Sequence, residues 1–534
     1  MNAKLGYMGK MSYLHTTGIR SFLREPPVRL LILGFLLVTA FCLRLYGLDR
    51  PPMDFAPQRQ YHGALLARGF YEWWLTGDLK TVPPDGIIEP PILELIASLA
   101  YLVFGEEHLW VPRLLSALFW IVGGVFLYLS AKRLLSPNAA VFSVFFYLFV
   151  PYGVLAGRAF MPDPLMVMVS VISIFTILRY HEQPSTRRLL FAAVVSSLAV
   201  FVKPGICLFQ IVGAFVSLAV YRQGVRRSLT SPHLLVFIVL SVLPSGLYGL
   251  FLHQQSQVSD KVVPQLLLKS SFWEGWLTSA GVVAGFVALL GGLVGVLLLG
   301  KGLPRALMIG LWGGYFLFGL TFTEHISTHP YYSLQLIPVV ALSLGPVADL
   351  AMKYLSETLK PNYGGRSGVH SYGRVIVLAL SILALILSAI GNRQATGWLP
   401  VQPDRATADV ATFREIGEVV DHSRRTIVLF GLYTNQGYYP EPEYTYALMY
   451  HGQFLGDNWP YPSQKGERRE ETRENRAEKL FFRRYSKYSP EYFIISKGWW
   501  MRQGTEDLKT FLTENYRVSA QGDNYVVFDL KNKD

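Results

Sequence analysis

Asp54, Arg59 and His62 stand close together in the stretch PPMDFAPQRQYH, just past the first long apolar run of the chain. Four further stretches place ionisable residues at the ends of apolar runs: Glu89 in IIEPPI, Arg158 and Asp163 in GRAFMPDPLM, Lys203 in FVKPG, and His325 and His329 in TEHISTHPYY, which also carries Tyr331 and Tyr332. Charged groups near membrane depth are costly to keep, so each is a functional candidate by default. A carboxylate beside a hydroxyl acts as a proton acceptor. Guanidinium and ammonium groups hold phosphate through charge-assisted hydrogen bonds. Carboxylates mixed with cations at a lipid boundary therefore suit a phosphate-bearing lipid head bound beside a general base.

Each residue also has a plainer reading. Asp54 can cap the helix that follows, and Asp163, flanked by prolines, fits a helix start equally well. Lys203 can snorkel to the headgroup layer. Arg59 can belong to a surface ion pair, and the histidines to satisfied loop contacts. All of these residues falling on one face by accident is less probable than any single plain reading.

The elements that must position them are membrane helices. The 534-residue chain is 51% hydrophobic and only 16% charged, far more apolar than a soluble protein of this length. Apolar runs of spanning length lie near residues 29–48, 110–130, 138–156, 164–180, 187–202, 205–221, 234–252, 281–299, 304–322, 331–350 and 374–391. The run Pro91 to Gly105 is too short and contains Glu94. If it does not cross, the basic loops around Lys132, Arg187, Arg222 to Arg227, Lys301 to Arg305 and Lys353 to Arg374 all fall on the cytoplasmic side, as the positive-inside rule requires. If it does cross, they all flip outward. The expectation is a polytopic α-helical protein of about eleven spans in a cell membrane, with its N-terminal segment 1–28 inside and the candidate residues on the extracytoplasmic side. The external loop 49–109 carries juxtamembrane helices, one over Gln60 to Trp74 and one over Pro91 to Gly105, in the headgroup layer.

The net charge of +12 fits loops that favour anionic headgroups, and no basic helix with interleaved stacking aromatics points to nucleic acid. The two cysteines, Cys42 and Cys207, sit inside apolar runs and exclude a disulfide framework. Past residue 391 charges rise and long apolar runs stop. TIVLF (426–430), YFIIS (492–496) and YVVFDL (525–530) have strand character, TEDLKTFLTENY (505–516) has helical period, and KGERREETRENRAEKL (465–480) has the charge mixture of a solvated helix. Residues 392–534 are thus expected to form a small soluble α/β domain beside the membrane domain 29–391.

The ordered set of stretches resembles the GT-C glycosyltransferases of the protein mannosyltransferase and aminoarabinose transferase type, over roughly residues 30–350. An acid follows the first span, and EPPILELIASLAYLVFG resembles the family's Pro-Pro segment ending in Phe-Gly. RLLSAL, GRAFMPDPLM, Lys203 between two spans and HPYYSLQLIPVVALSLG then follow in order. The resemblance implies transfer of a sugar from a polyprenyl-phosphate donor to a glycan, lipid or protein acceptor, with inversion. It makes Asp54 the catalytic acid, with Arg59, His62, Glu89, Arg158, Asp163, Lys203, His325, His329, Tyr331 and Tyr332 around the substrates. The family usually shows an Asp-Glu pair after its first span. Here the acid stands alone, and Arg59 is the neighbour that takes part in place of the missing Glu. A divalent metal on Asp54 and Asp163 is compatible with this reading, although no compact ligand motif calls for one. The competing class is a transporter or flippase of a lipid-linked sugar, which would place charges inside spans and show paired broken helices.

Overall fold

In a computed structural model of the chain, the structure describes residues 27–78, 86–87, 89–251, 261–358, 403–431, 433–434, 437–438, 444–459, 476–485, 489–501 and 505–533. It divides into two compact units, one formed by Met1–Leu48 and Arg113–Leu399, the other by Asp49–Pro112 and Pro400–Asp534. The loop expected to belong to the membrane domain thus groups with the C-terminal residues.

The first unit is helical. Among the described residues six helices are long and apolar enough to cross a membrane: Pro27–Leu45, Trp110–Leu134, Pro162–Glu182, Pro232–Leu250, Leu303–Thr321 and Leu336–Tyr354. A seventh crossing exists if the pair Ser270–Ala284 and Phe286–Leu298 counts as one span. That pair corrects the straight span expected over 281–299. Its two helices meet at 90°, and the joint is Gly285, whose φ of 84° a residue with a Cβ adopts only under strain. Nothing in the apolar pattern marks this corner.

The span expected over 138–156 is also broken, into Pro137–Phe149 and Pro151–Ala156. Ser136 caps the first piece, its Oγ accepting from Ala139 N at 3.2 Å. Pro151, with no N–H to donate, ends it. The carbonyls around the break are met by Arg44 of the first helix, which donates to Leu148 O at 3.1 Å and Gly153 O at 3.0 Å. Helices Thr186–Val202 and Leu208–Gln223 fall where spans 187–202 and 205–221 are expected but, at 17 and 16 residues, are shorter than the six, and the last described span begins at Leu336, after a 3₁₀ turn Pro330–Ser333. Helices Leu208–Gln223 and Leu303–Thr321 approach backbone to backbone. A Cβ on Gly310 would lie 2.3 Å from Gly213 O, so only glycine fits this contact. The expected span 374–391 and most of segment 1–28 lie outside the described residues.

The second unit is built on a five-stranded sheet with strands β1 Thr426–Leu429, β2 Gly456–Asn458, β3 Tyr492–Ser496, β4 Tyr516–Gln521 and β5 Tyr525–Lys533. Their spatial order is β2-β1-β3-β5-β4. β1 is parallel to β2 and β3, while β5 runs antiparallel to β3 and β4. Ile427, Phe493, Ile495, Phe528 and Leu512 form its buried core with Trp459 and Trp499. Helix Glu506–Asn515 falls where helical period predicts it, as does Arg476–Tyr485 at the end of the mixed-charge segment, the rest of which lies outside the described residues.

Two helices of the 49–112 segment complete this unit. The first, Pro57–Thr76, is longer than the expected Gln60 to Trp74 and is not an open headgroup helix over most of its length. Residues Tyr61 to Ala67 are buried, and Tyr61 donates to or accepts from His451 Nε2 at 2.8 Å in helix Thr445–Gly452. Only its end, with Trp74 and Leu75, is exposed. The second, Ile92–Phe104, has 13 residues, about 20 Å at 1.5 Å per residue, short of the roughly 30 Å hydrocarbon core. It buries Leu93, Glu94, Ala97, Ser98 and Tyr101 and turns Leu99, Val103 and Phe104 outward, the pattern of a helix lying along an apolar boundary.

Candidate active site

The sequence candidates gather into two clusters, one in each unit. In the first unit the centre is an ion pair. Asp163 stands in the first turn of Pro162–Glu182, and Lys203 is the C-cap of Thr186–Val202. Lys203 Nζ donates to both Asp163 oxygens at 2.8 Å. The side chains are 2% and 1% exposed, so Lys203 does not snorkel and Asp163 does more than start a helix. Lys203 Nζ also lies 4.9 Å from the ring centres of both Tyr331 and Tyr332, which supply negative π-faces to the ammonium.

Behind the tyrosines stand the two histidines. His325 and His329 stack at 5.2 Å, and His325 meets the edge of Tyr332 at 5.0 Å. His329 Nδ1 is 2.7 Å from Thr328 Oγ1. His325 also faces Glu324, and this hydrogen bond holds the Glu324 carboxyl below its usual range. Arg158 donates to Tyr46 O just after the first helix.

In the second unit Arg59, His62 and Glu89 come together. Arg59 Nη2 donates to Glu89 Oε2 at 2.5 Å, and the two side chains are 20% and 16% exposed. His62 Nε2 is 3.1 Å from Gly86 O, and its ring meets Tyr446 at 5.1 Å. Burial, then the Arg59 cation, push its pKa down to about 4, so the ring is neutral at physiological pH. Asp54 lies three residues before helix Pro57–Thr76. That helix has Ala56 at its N-cap, in a left-handed conformation with no side-chain cap bond, so Asp54 is not the cap. The bend carrying Asp54 is fixed by Gln60, whose amide donates to Phe55 O at 2.5 Å, and by Pro57 at the helix start.

One member of this cluster escaped the sequence reading. Glu94, 7% exposed, feels both Glu89 and Arg59, and burial pushes its pKa up to about 7. The signal was present as a lone carboxylate in an apolar helix, and it served only as an obstacle to crossing. Both oxygens of Asp163 accept from Lys203, and no group of three or more His, Cys, Asp or Glu suited to a metal ion occurs among the described residues.

Residues 88–248 match the model of the dolichyl-phosphate-mannose-protein mannosyltransferase family. The structure is similar to ArnT from Cupriavidus metallidurans bound to undecaprenyl phosphate, at a TM-score of 0.56 and 15% identity over 93% of this chain and 97% of that one. The fold is that of the GT-C glycosyltransferases. A second GT-C likeness is to the oligosaccharyltransferase AglB from Archaeoglobus fulgidus in complex with an inhibitory peptide and a dolichol-phosphate, at a TM-score of 0.53 and 15% identity over 87% of this chain and 69% of that one. No curated protein matches the chain by sequence. The GT-C fold accounts for the mixture of long spans, broken helices and short apolar helices that loop charge and hydropathy describe only in outline.

Proposed function

We propose that the chain is a membrane glycosyltransferase that moves a sugar from a polyprenyl-phosphate donor to an acceptor hydroxyl on the extracytoplasmic side, with inversion. The observation that carries this reading is the match of residues 88–248 to the mannosyltransferase family, because Glu89, Arg158, Asp163 and Lys203 all fall inside it. In the proposed step Asp54 takes the proton of the acceptor hydroxyl. The acceptor oxygen forms a bond to the anomeric carbon from one face while the bond from that carbon to the phosphate oxygen breaks on the other. Polyprenyl phosphate leaves with the electron pair, so the charge that develops sits on phosphate, and cations there lower the barrier more than a nucleophile would.

Arg59 is the cation best suited to that phosphate, since its present partner, Glu89, is reached by water. Lys203, closed onto Asp163, acts there only if the donor opens the pair; otherwise it holds two helix ends in place. Arg158 is the second basic candidate. Sidedness rests on the basic loops, which favour an internal N-terminus and an external second unit.

The test is Asp54→Asn, which keeps the shape of the side chain but cannot take the proton. Transfer from a panel of undecaprenyl-phosphate sugars should be lost while undecaprenyl phosphate still stabilises the protein against heat. A stable variant with near wild-type turnover would remove Asp54 as the base and pass the role to Glu89 or Asp163.

A further inference from the structure

A cavity of about 400 Å³ opens within the second unit, away from Arg59 and His62 on the same helix and lined by residues that the transfer step does not use. That volume falls within the roughly 300–1,000 Å³ range of small-molecule sites. Its apolar part is supplied by Leu65 and Phe454, both buried, and by the half-buried ring of Tyr71. Tyr71 is held in place at two points, its hydroxyl donating to Gly105 O at 2.7 Å and its ring meeting the edge of Tyr101 at 6.0 Å. The ring is therefore a fixed wall.

The charged part is arranged in pairs. Arg68 grips Glu107 with both forks, at 2.7 and 3.0 Å, and is itself stacked 4.1 Å from the ring centre of Tyr450. Arg424 and Glu72 face each other more loosely at 3.5 Å. Glu106, the third carboxylate of the lining, is turned largely to solvent and faces His108 Nε2 at 3.3 Å, so the walls carry at most one net negative charge against many fixed donors and acceptors, which suits a neutral ligand rich in hydroxyls better than a strongly charged one. Carboxylates accept from two neighbouring hydroxyls at once, guanidinium groups donate to ring and hydroxyl oxygens, and a tyrosine face covers the C–H face of a pyranose. Gln453, at the cavity edge, is held at φ 54° in the left-handed region and adds an amide that both donates and accepts.

We propose that this cavity binds a neutral saccharide and, resting on the transferase reading above, that the saccharide is the non-reacting part of a glycan acceptor. The weak Arg424–Glu72 contact is the element that yields to the sugar, each side chain exchanging a long ion pair for hydrogen bonds to hydroxyls. The Arg68–Glu107 pair stays closed and shapes the wall.

The experiment uses the full chain in lipid nanodiscs and saturation-transfer NMR with mannotriose and maltotriose as neutral probes, and with trigalacturonate and the glucosamine trimer as anionic and cationic ones. A neutral trisaccharide should bind and both charged ones should bind more weakly. Glu72→Gln and Tyr71→Ala should each weaken binding by about tenfold or more, the scale of one charged hydrogen bond or one lost stacking face. Glu72→Gln is a partly exposed, shape-preserving change, so its result stands even if Tyr71→Ala folds poorly. In a transfer assay both should raise KM for a glycan acceptor while leaving kcat near wild type. Binding of a charged trisaccharide only, no binding of any, or binding unchanged in Glu72→Gln would overturn the site. Neutral saccharide binding that Glu72→Gln weakens, in a chain that transfers no sugar from prenyl phosphates, would keep the site and sink the transferase reading instead.

Discussion

Lys203 and Asp163 meet at 2.8 Å with side chains 2% and 1% exposed, whereas Arg59 and Glu89 meet at 2.5 Å with side chains 20% and 16% exposed. Both pairs join an arginine or lysine to a carboxylate far away in sequence, and both stand at helix ends. The difference is water. In the first pair both charges are desolvated, so either one alone is a buried uncompensated charge, and the pair fastens the start of one helix to the end of another. In the second pair water still reaches both partners, so Arg59 can leave Glu89 for an incoming anion at a lower cost than Lys203 can leave Asp163. A fully buried pair is suited to holding geometry and a partly exposed one to exchanging partners. That contrast assigns the two clusters different work.

Breaking the buried pair should give the largest effect. Lys203→Met or Asp163→Asn alone is expected to destabilise the membrane unit by roughly 3–5 kcal/mol, because the surviving partner is left without compensation. The double variant Lys203→Met with Asp163→Leu should recover most of that stability. Thermal unfolding in detergent reads this directly. If the double variant recovers stability and full transfer together, the pair is structural only. Recovery of stability without transfer would give Lys203 a part in the chemistry as well.

Arg59→Ala should shift the balance toward turnover. Removal of a partner whose side chain is 20% exposed is expected to cost about 1–3 kcal/mol, less than breaking the fully buried pair. Turnover should nevertheless fall by about a hundredfold, the scale for loss of one donor to developing charge. A variant that loses as much stability as Lys203→Met and keeps its turnover would erase the contrast.

How much of this the sequence discloses follows from where each residue sits. The central strands β1, β3 and β5 are legible as TIVL, YFIIS and YVVFDL because burial on both faces demands continuous apolar runs. The edge strands β2 and β4, in GDN and YRVSAQ, are not, since an edge strand half open to solvent keeps polar residues. Helix lengths are legible from hydropathy, but the corner at Gly285 is not, because glycine in an apolar run reads equally as close packing. At the site, residue types and a shared side are legible, whereas the pairing of Lys203 with Asp163 and of Arg59 with Glu89 depends on helix contacts that no spacing encodes. The grouping of loop 49–112 with the C-terminal residues was invisible for the same reason: Tyr61 and His451 are 390 positions apart.

The second unit should also carry a pH signature. Burial holds His62 down to about 4 and His451 down to about 3, with nearby arginines adding to the effect, while both titrate near 6.5 in an unfolded chain. Below about pH 6.5 the unfolded chain takes up protons that the folded unit refuses, so stability is full above that value and is lost as pH falls toward 4 and then 3. At most, the shifts correspond to on the order of 3 kcal/mol for His62 and 5 kcal/mol for His451. Hydrogen exchange at the β1 and β3 amides, followed between about pH 7.5 and 5 after correction for the intrinsic rate, should show falling protection, and His62→Phe should flatten part of that slope. Glu94, raised to about 7 by burial, acts with the opposite sign over this range, so the decisive reading is taken in a Glu94→Gln background, where protection that rises on acidification would mean that these histidines are charged in the fold.

The smallest expected effect tests whether helix Thr445–Gly452 steadies the helix that carries Arg59. Tyr61 is fully buried, and its hydroxyl lies 2.8 Å from His451 Nε2. Since burial keeps His451 neutral, one ring nitrogen is an acceptor, and the hydroxyl can donate to it. Tyr61→Phe removes that donor and leaves the nitrogen buried without it, at about 1–3 kcal/mol to the local packing. Arg59 sits two residues away on the same helix, so looser packing should widen its range of positions and lower turnover by less than Arg59→Ala does. His451→Ala should give a similar loss. In the double variant the two losses should fall short of their sum by about 1 kcal/mol, the coupling expected of residues in contact. Additive losses would mean that Tyr61 and His451 act separately, and that the Arg59–Glu89 pair owes its placement to the Pro57–Thr76 helix alone.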